Sequence, residues 1–271
     1  RSTLFPYTTL FRSASYLQEH LSGLFHRWET KAYYNHITHN MDDTQRPDVV
    51  IHMDMPGESQ TAGVYSLLQG TKGSHYFQLN NDAYYNTLFA DMTMYPDGGQ
   101  PMYMLTWPDV GTFNTGLALI DDITLTPHHH IRLSAKGAWQ RQHINSDEGF
   151  HALSIYFPDM DQGNSRFIGR LAASYAYEHS GWKFALGTGY GTRAPTVTES
   201  YGYFLNNTFD QYDYIGNPHL KNEKAIELNG AAKCSMFNSQ CSITFEVNAF
   251  FFQDYIIGRP DARLSPMTIG A

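Results

Sequence analysis

Long stretches in which apolar and polar residues alternate are the feature of this sequence that most limits its fold. The clearest stretch runs from 166 to 178, resumes after a short turn from 182 to 191, and has a third example from 242 to 251. A period of two indicates β-strands whose side chains point alternately to two faces. These stretches reach about 10 residues, whereas strands of soluble proteins average about 5 to 6. The sequence therefore predicts long strands with one apolar and one polar face.

The connections between the strands show a second regularity. We expect ten strands, near residues 15–25, 29–39, 62–69, 75–86, 112–122, 130–143, 166–178, 182–191, 225–234 and 242–254. The gaps alternate between long ones at 40–61, 87–111, 144–165 and 192–224 and short ones at 70–74, 123–129, 179–181 and 235–241. Outer-membrane barrels have this alternation, with short periplasmic turns and long extracellular loops, and need strands of about 9 to 11 residues. A large soluble β protein is the alternative, but it explains neither regularity.

Composition excludes several other classes of protein. The mean hydropathy is -0.42 and there is no apolar run of 18 residues, which excludes a helical membrane protein. The net charge is -8 and the 18 basic residues are scattered, so no nucleic-acid partner is expected. An aromatic content of 15% excludes disorder. Enzyme motifs such as G-x-S-x-G, H-E-x-x-H and the P-loop are absent, so we expect neither an enzyme nor a cofactor.

The first thirteen residues, RSTLFPYTTLFRS, have a different origin from the rest. The string matches a translated sequencing adapter read in one frame, and we expect residues 1–13 to be an artefact. Such segments are left out of fold reasoning. A short β segment with a proline break is the alternative for this string.

Two linked motifs carry a specific resemblance. The first lies within residues 189–202 and the second within 216–227. Together they resemble the R-A-P-x-x-x-E and G-N-P-x-L-K-x-E segments of TonB-dependent outer-membrane receptors. The matching residues are Arg193, Ala194, Pro195, Glu199, Asn217, Pro218, Leu220, Lys221 and Glu223.

This resemblance implies an all-β fold that is part of a large transmembrane barrel, with about ten to eleven of its 22 strands present here. Residues 14–271 are expected to form part of that barrel, with the plug domain and the C-terminal strands missing. The family takes up scarce nutrients such as siderophore-bound iron, cobalamin, haem or copper. Its partners are outer-membrane lipid and the TonB complex, which contacts a segment before the plug. A plug-less outer-membrane pore and a barrel-type enzyme remain as alternatives.

The residues of the two motifs also have predictable local roles. Pro195 cannot donate a ladder hydrogen bond, so strand pairing should stop there. Gly216, Asn217 and Pro218 are typical of a turn. Lys221 and Glu223 can form an ion pair where the chain returns to the wall. These roles favour a structural function for the motifs over ligand contact.

Methionines are concentrated in the predicted long loops. Eight of the ten lie there, and three groups have M-x-M spacing. Thioether and imidazole groups are ligands for soft metals such as Cu(I). The candidate ligand-binding residues are Met41, His52, Met53, Met55, Met92, Met94, Met102 and Met104. Alternatively, methionine is flexible filler between loops or against a large apolar ligand.

Two further expectations concern the wall. Cys234 and Cys241 flank a short predicted turn, and a disulfide across it is one possibility, with free thiols as the other. The alternation predicts that one face points to lipid and the other to the lumen. The lipid side is expected to contain Trp182, Phe184, Tyr175 and Phe245. The lumen side is expected to contain Lys183, Arg170, Glu178 and Glu246.

Overall fold

The computed structural model describes residues 7–43, 51–207, 210, 212–236, 241–261 and 268–270. In order along the chain, the elements are β1 Tyr7–Glu19, β2 Phe25–Asp42, β3 Ile51–Lys72, β4 His75–Pro96, β5 Met102–Thr126, β6 His129–Ile144, α1 Asp147–Ser154, β7 Gly163–His179, β8 Trp182–Arg193, α2 Val197–Tyr201, β9 Leu205–Asn207, β10 Tyr212–Ile215, β11 Glu223–Met236, β12 Cys241–Gln253, β13 Arg259–Pro260 and β14 Thr268–Gly270. Residues 1–6 lie outside the described residues, and 7–13 belong to β1, so the adapter origin of 1–13 stays a prediction.

Ten of these strands form one antiparallel sheet in the order β1-β2-β3-β4-β5-β6-β7-β8-β11-β12. Strands that follow one another in the chain pair with each other, as in an up-and-down barrel wall. Strands β13, β14, β10 and β9 form a second, small sheet. The predicted all-β wall of about ten long strands is confirmed. Across the described ranges, no helix has the length and hydropathy needed to cross a membrane.

The connections on one side of the sheet are short. Residues 73–74, 127–128 and 180–181 each join two strands. In the last of these turns, Ser180 and Gly181 both have positive φ, at 49° and 81°. That conformation is a two-residue turn of the type that matches the twist of paired strands. On the other side the connections 145–162 and 194–222 are long and contain α1 and α2.

Two of the predicted long loops are mostly strand. β3 and β4 are each 22 residues long and β5 is 25, so 51–61, 87–96 and 102–111 extend the sheet. The positions given for the loops at 40–61 and 87–111 were therefore wrong. The sequence pattern missed these extensions because it depends on one face being apolar. In these segments the face that is apolar elsewhere in the wall carries polar residues such as His52, Asp54 and Thr93, so the pattern of the wall stops there.

The register divides the wall into an apolar face and a polar face. Residues directly opposite each other in a ladder share a face. One such row on the apolar face consists of Tyr177, Phe184, Ala232 and Phe245. On the polar face, Glu178 is opposite Lys183. The predicted separation of Phe184 and Phe245 from Lys183 and Glu178 is confirmed.

Aromatic residues border the apolar face at both ends of a band. Toward the long connections, Tyr34, Tyr85 and Phe113 fall in one row through Ala62. Toward the short turns, Trp28, Phe77 and Trp182 lie on the same face. A band of this kind, about 25 Å tall and edged by aromatic girdles, is the lipid-contacting surface of outer-membrane barrels.

The two long connections fold against the end of β5 and enclose a small core, which we call the cap. Its buried members are Val110, Ile144, Leu153, Met160, Tyr201 and Ile215. Partly buried aromatic residues, among them Tyr156 and Tyr203, surround it. Burial raises the pKa of Tyr203 to about 12. The cap is therefore a packed apolar unit on an otherwise single-layered sheet.

Candidate functional site

Seven methionines lie on the polar face of the sheet, at the ends of β2 to β5 that carry the long connections. We call them the methionine patch: Met41, Met53, Met55, Met92, Met94, Met102 and Met104. Met53 is opposite Met94, which is opposite Met102. In the next row, Met41 is opposite Met55, and Met92 is opposite Met104. Side chains two residues apart on one strand share a face, so the M-x-M spacing and the register together place all seven sulfurs on one surface.

Strand pairing brings these side chains close together. Opposite residues in an antiparallel pair have Cβ atoms about 4.5 to 5.5 Å apart, and diagonal neighbours are about 7 to 8 Å apart. Flexible methionine side chains can bridge such separations. Met92 is buried, with 6% of its surface exposed, whereas Met102 is 46% exposed. The patch therefore runs from a buried to an accessible end.

The patch stands well outside the apolar band. Met41 is seven residues beyond Tyr34 on β2, and Met94 is nine residues beyond Tyr85 on β4. At about 3.3 Å per residue, seven residues correspond to roughly 20 to 25 Å along the strand. The row below the patch contains His39, opposite Gly57, which is opposite Ala90. Two small residues therefore lie beside His39 in that row.

Acidic side chains of the same strand ends lie on the other face. Asp42 is opposite Asp54, and Asp54 is opposite Thr93. By the alternation along β4, Asp91 shares that face as well. Within the described ranges, no group of three or more His, Cys, Asp or Glu side chains is arranged to hold a metal ion. Soft sulfur atoms and hard carboxylate oxygens are therefore segregated onto opposite faces.

The structure separates His52 from the other predicted ligand residues. His52 is opposite Tyr95 and lies on the face away from the methionine patch. Its Nδ1 is 3.0 Å from Asp43 Oδ1, and the Met53 N–H donates to the same oxygen. Burial acts to raise the pKa of Asp43, but these hydrogen bonds lower it overall. Grouping His52 with the methionines was therefore wrong, because neighbours in a strand point to opposite faces. Met160, another loop methionine, is buried in the cap.

The Arg193 side chain joins three segments at the long-connection side of the sheet. Its Nε donates to Glu223 Oε2 at 2.6 Å, and its terminal nitrogens donate to both oxygens of Glu199 at 2.7 and 2.9 Å. Glu199 also completes a capping box with Thr196 at the start of α2. Burial alone would raise the pKa of Glu199, but the hydrogen bonds from Arg193 and Thr196 lower it. The R-A-P-x-x-x-E motif thus ties the end of β8, the start of α2 and the start of β11 together.

Side chains of β6 and β7 hold one segment of each motif. Arg166 donates to the carbonyls of Pro218 and Leu220, and Gln142 donates to the carbonyl of Pro195. The predicted ion pair of Lys221 with Glu223 is not formed. Glu223 instead accepts from Arg193 and from the Ile256 N–H.

Sequence reasoning missed Arg166 and Gln142. Their positions on the polar face were readable, but their partners are backbone carbonyls of a connection that folds back onto the wall. Pro195 is fully buried there, and Ala194 is 8% exposed. Asn217 accepts from the His219 N–H within the predicted turn.

Cys234 and Cys241 are free thiols in the structure. The register places Cys234 opposite Ile243 and Cys241 opposite Met236. The two cysteines are therefore diagonal neighbours, whose Cβ atoms are farther apart than the roughly 3.5 to 4.5 Å of a disulfide. The predicted bridge is not present.

Comparison with known proteins decides the family. The family model described as "TonB dependent receptor-like, beta-barrel" matches residues 3–265. The chain belongs to this family of TonB-dependent receptors. Its members are receptors and transporters of the Gram-negative outer membrane, not enzymes, and their common role is nutrient uptake. No curated protein sequence matches this receptor.

Solved structures show the same fold. The "Copper transporter OprC" is 15% identical with a TM-score of 0.76, and the match covers 98% of this chain and 41% of that protein. The siderophore receptor PiuA from Acinetobacter baumannii is 10% identical with a TM-score of 0.51, covering 97% of this chain and 42% of that one. At these identities the likeness concerns the fold alone. The receptor chain described here spans less than half the length of these two proteins.

Proposed function

We propose that this receptor takes up copper across the outer membrane, as Cu(I) or as a copper-carrying ligand, and that the methionine patch is its extracellular binding surface. The observation that carries the proposal is the register, which aligns three M-x-M pairs and Met41 on one face of four strands. The energy for uptake would come from the TonB complex through a segment outside this chain.

The chemistry of the patch favours a soft, monovalent metal ion. Thioethers are neutral, polarizable ligands that select Cu(I), whereas Mg²⁺, Ca²⁺ and Mn²⁺ prefer carboxylate and carbonyl oxygens. The carboxylates Asp42, Asp54 and Asp91 lie on the other face of the same strands, so they do not compete for the ion. His39, in the row below, offers an imidazole nitrogen, a group that also suits copper.

A large apolar ligand is the competing explanation. Methionine also packs against irregular apolar surfaces, and a siderophore, haem or cobalamin would contact the same face. The two explanations differ in what the sulfur atoms do. A metal ion needs the sulfur lone pairs, whereas an apolar ligand needs only the shape and hydrophobicity, which leucine also supplies.

The test replaces sulfur and keeps the apolar surface. The intact receptor, purified in detergent, is titrated calorimetrically with Ag(I), a soft monovalent ion that does not change oxidation state. Replacing Met92, Met94, Met102 and Met104 by Leu should weaken Ag(I) binding by at least the roughly 10- to 100-fold that loss of a supporting residue costs a metal site. Met236→Leu, at the end of β11 and away from the patch, is the matched control and should bind as the parent does.

An unchanged Ag(I) affinity in the fourfold variant would rule out the copper proposal. Retained binding of siderophore-type, haem or cobalamin ligands by that variant, together with absent Ag(I) binding by the parent, would favour the apolar explanation instead.

A further inference from the structure

β5 carries two more residues than β4 along the same length of ladder. Leu88 is opposite Val110 and Asp91 is opposite Leu105, so three steps on β4 correspond to five on β5. The extra length contains Pro108, which cannot donate to a ladder. It also contains Asp109, whose φ is +47°, a conformation that residues other than glycine adopt infrequently. This segment, 106–109, is a β-bulge between the barrel wall and the methionine patch.

The two long connections hold the bulge in place. The Asn145 N–H donates to the Asp109 carbonyl at 2.8 Å, and Asn145 Nδ2 lies 3.3 Å from Asp109 Oδ1. From the other connection, the Tyr203 N–H donates to the Thr106 carbonyl at 2.9 Å, and Thr198 Oγ1 accepts from Trp107 Nε1 at 3.1 Å. Gly149 of α1 packs directly against Pro108, and a Cβ there would collide with the proline ring.

The bulge decides which methionines face each other. With the extra residues absorbed, Met102 is opposite Met94 and Met104 is opposite Met92. If β5 instead continued from the Leu88–Val110 pair without a bulge, the register would place Met104 opposite Met94 and Met102 opposite Pro96. Met92 would then be opposite Thr106. Two residues are a full period of the strand, so the methionines would keep their face. Only one methionine pair, Met94 with Met104, would remain, and Met92 and Met102 would lose their partners.

We infer that the bulge at 106–109, fastened by the cap, is the positioning device that aligns Met102 and Met104 with Met94 and Met92. This inference rests on the proposed function of the patch. Each methionine offers one neutral sulfur, so a bound ion needs two or more of them to converge. The cap therefore contributes to metal binding without touching the ion.

The test loosens the bulge at its anchors. Asp109→Val, which disfavours the positive φ, is combined with Asn145→Ala, which removes the side-chain anchor. Ag(I) affinity of the intact receptor should fall about 10- to 100-fold, as for the loss of other supporting residues of metal sites. Heat-modifiable migration of the folded barrel in electrophoresis serves as the folding control.

A deletion tests whether the bulge acts by aligning the methionines or only by stabilising the fold. Removing Pro108 and Asp109 together takes out the two extra residues, so a flat ladder again places Met102 opposite Met94 and Met104 opposite Met92. We expect this deletion to keep near-parent Ag(I) affinity although the anchors at Pro108 and Asp109 are gone. If the deletion weakens binding as much as the double substitution, or if the double substitution leaves binding unchanged, the inference is overturned.

Disulfide cross-linking measures the register of β4 and β5 without any metal. With Cys234 and Cys241 replaced by Ser, Met94→Cys should cross-link with Met102→Cys in the parent bulge. In the Asp109→Val, Asn145→Ala background it should cross-link with Met104→Cys instead. Cross-linking of 94 with 102 in both backgrounds would contradict the inference even if the copper proposal holds. If the fourfold leucine variant binds Ag(I) as the parent does, the proposed function is refuted. The cross-linking result would still show whether the bulge sets the register.

Discussion

At the residue scale, Arg193 shows how one side chain ties the end of β8, the start of α2 and the start of β11 together. Arg193→Gln removes the charge and the bidentate pairing with Glu199. We expect the connection 194–222 to open more readily, by about 1 to 2 kcal/mol. Limited proteolysis of the folded receptor measures this as faster cleavage within the connection. Lys224→Gln, which loses an exposed pair with Asp254, is the control and should leave the cleavage rate unchanged.

The same tie has a pH dependence with a definite sign. The pKa of Glu199 is lowered in the folded state from its ordinary value of 4.5. Its stabilisation is therefore complete above that value and is lost as the pH falls through the lower, folded-state pKa. Cleavage of the connection by an acid-tolerant protease should accelerate on acidification below about pH 4.5 in the parent. The Arg193→Gln variant should show a smaller acceleration, and an equal one would contradict this account.

At the scale of elements, we expect the middle of the apolar band on β8 to lie at the membrane midplane. Phe184 stacks on Trp182 at a centroid distance of 5.7 Å, so it belongs to the aromatic girdle near the short turns. Leu186, opposite Gly230, is closer to the middle of the band. Leu186→Lys should therefore cost about 2 to 4 kcal/mol of barrel stability, and Phe184→Lys about 0 to 1. Urea unfolding in lipid vesicles measures both, with Ala185→Lys on the polar face as the control. A larger cost at Phe184 than at Leu186 would place the midplane elsewhere.

Helix α2 is short and depends on its N-terminal cap. Thr196 Oγ1 accepts from the Glu199 N–H, and Glu199 reaches back to the Thr196 N–H. Thr196→Ala should destabilise this helix by about 1 kcal/mol. Hydrogen exchange of the amides in 197–201 should accelerate accordingly, while amides in the middle of β7 stay protected. Unchanged exchange at 197–201 would show that packing in the cap, rather than the capping box, holds the helix.

At the scale of the whole molecule, the sequence predicted the wall better than the site. Segments such as 166–191 belong to the apolar band, in which one face is apolar, so the period of two reveals the strand and the face to which each side chain points. Outside the band that requirement ends, and the extensions of β3, β4 and β5 were read as loops. The methionines were recognised by their spacing, but their convergence depends on pairing between strands and on a bulge that no local pattern indicates. His52 was misplaced because its segment was read as a loop, whereas in a strand it points to the face opposite Met53.

The central claim is that the methionine patch binds a soft metal ion through its thioethers. X-ray absorption spectroscopy of the intact receptor loaded with Cu(I) tests it most directly, because the spectrum identifies the atoms bonded to copper. We expect a shell dominated by sulfur, which loses its sulfur scatterers when Met92, Met94, Met102 and Met104 are replaced by Leu. A shell of nitrogen and oxygen alone, or a sulfur shell unchanged in the fourfold variant, would contradict it.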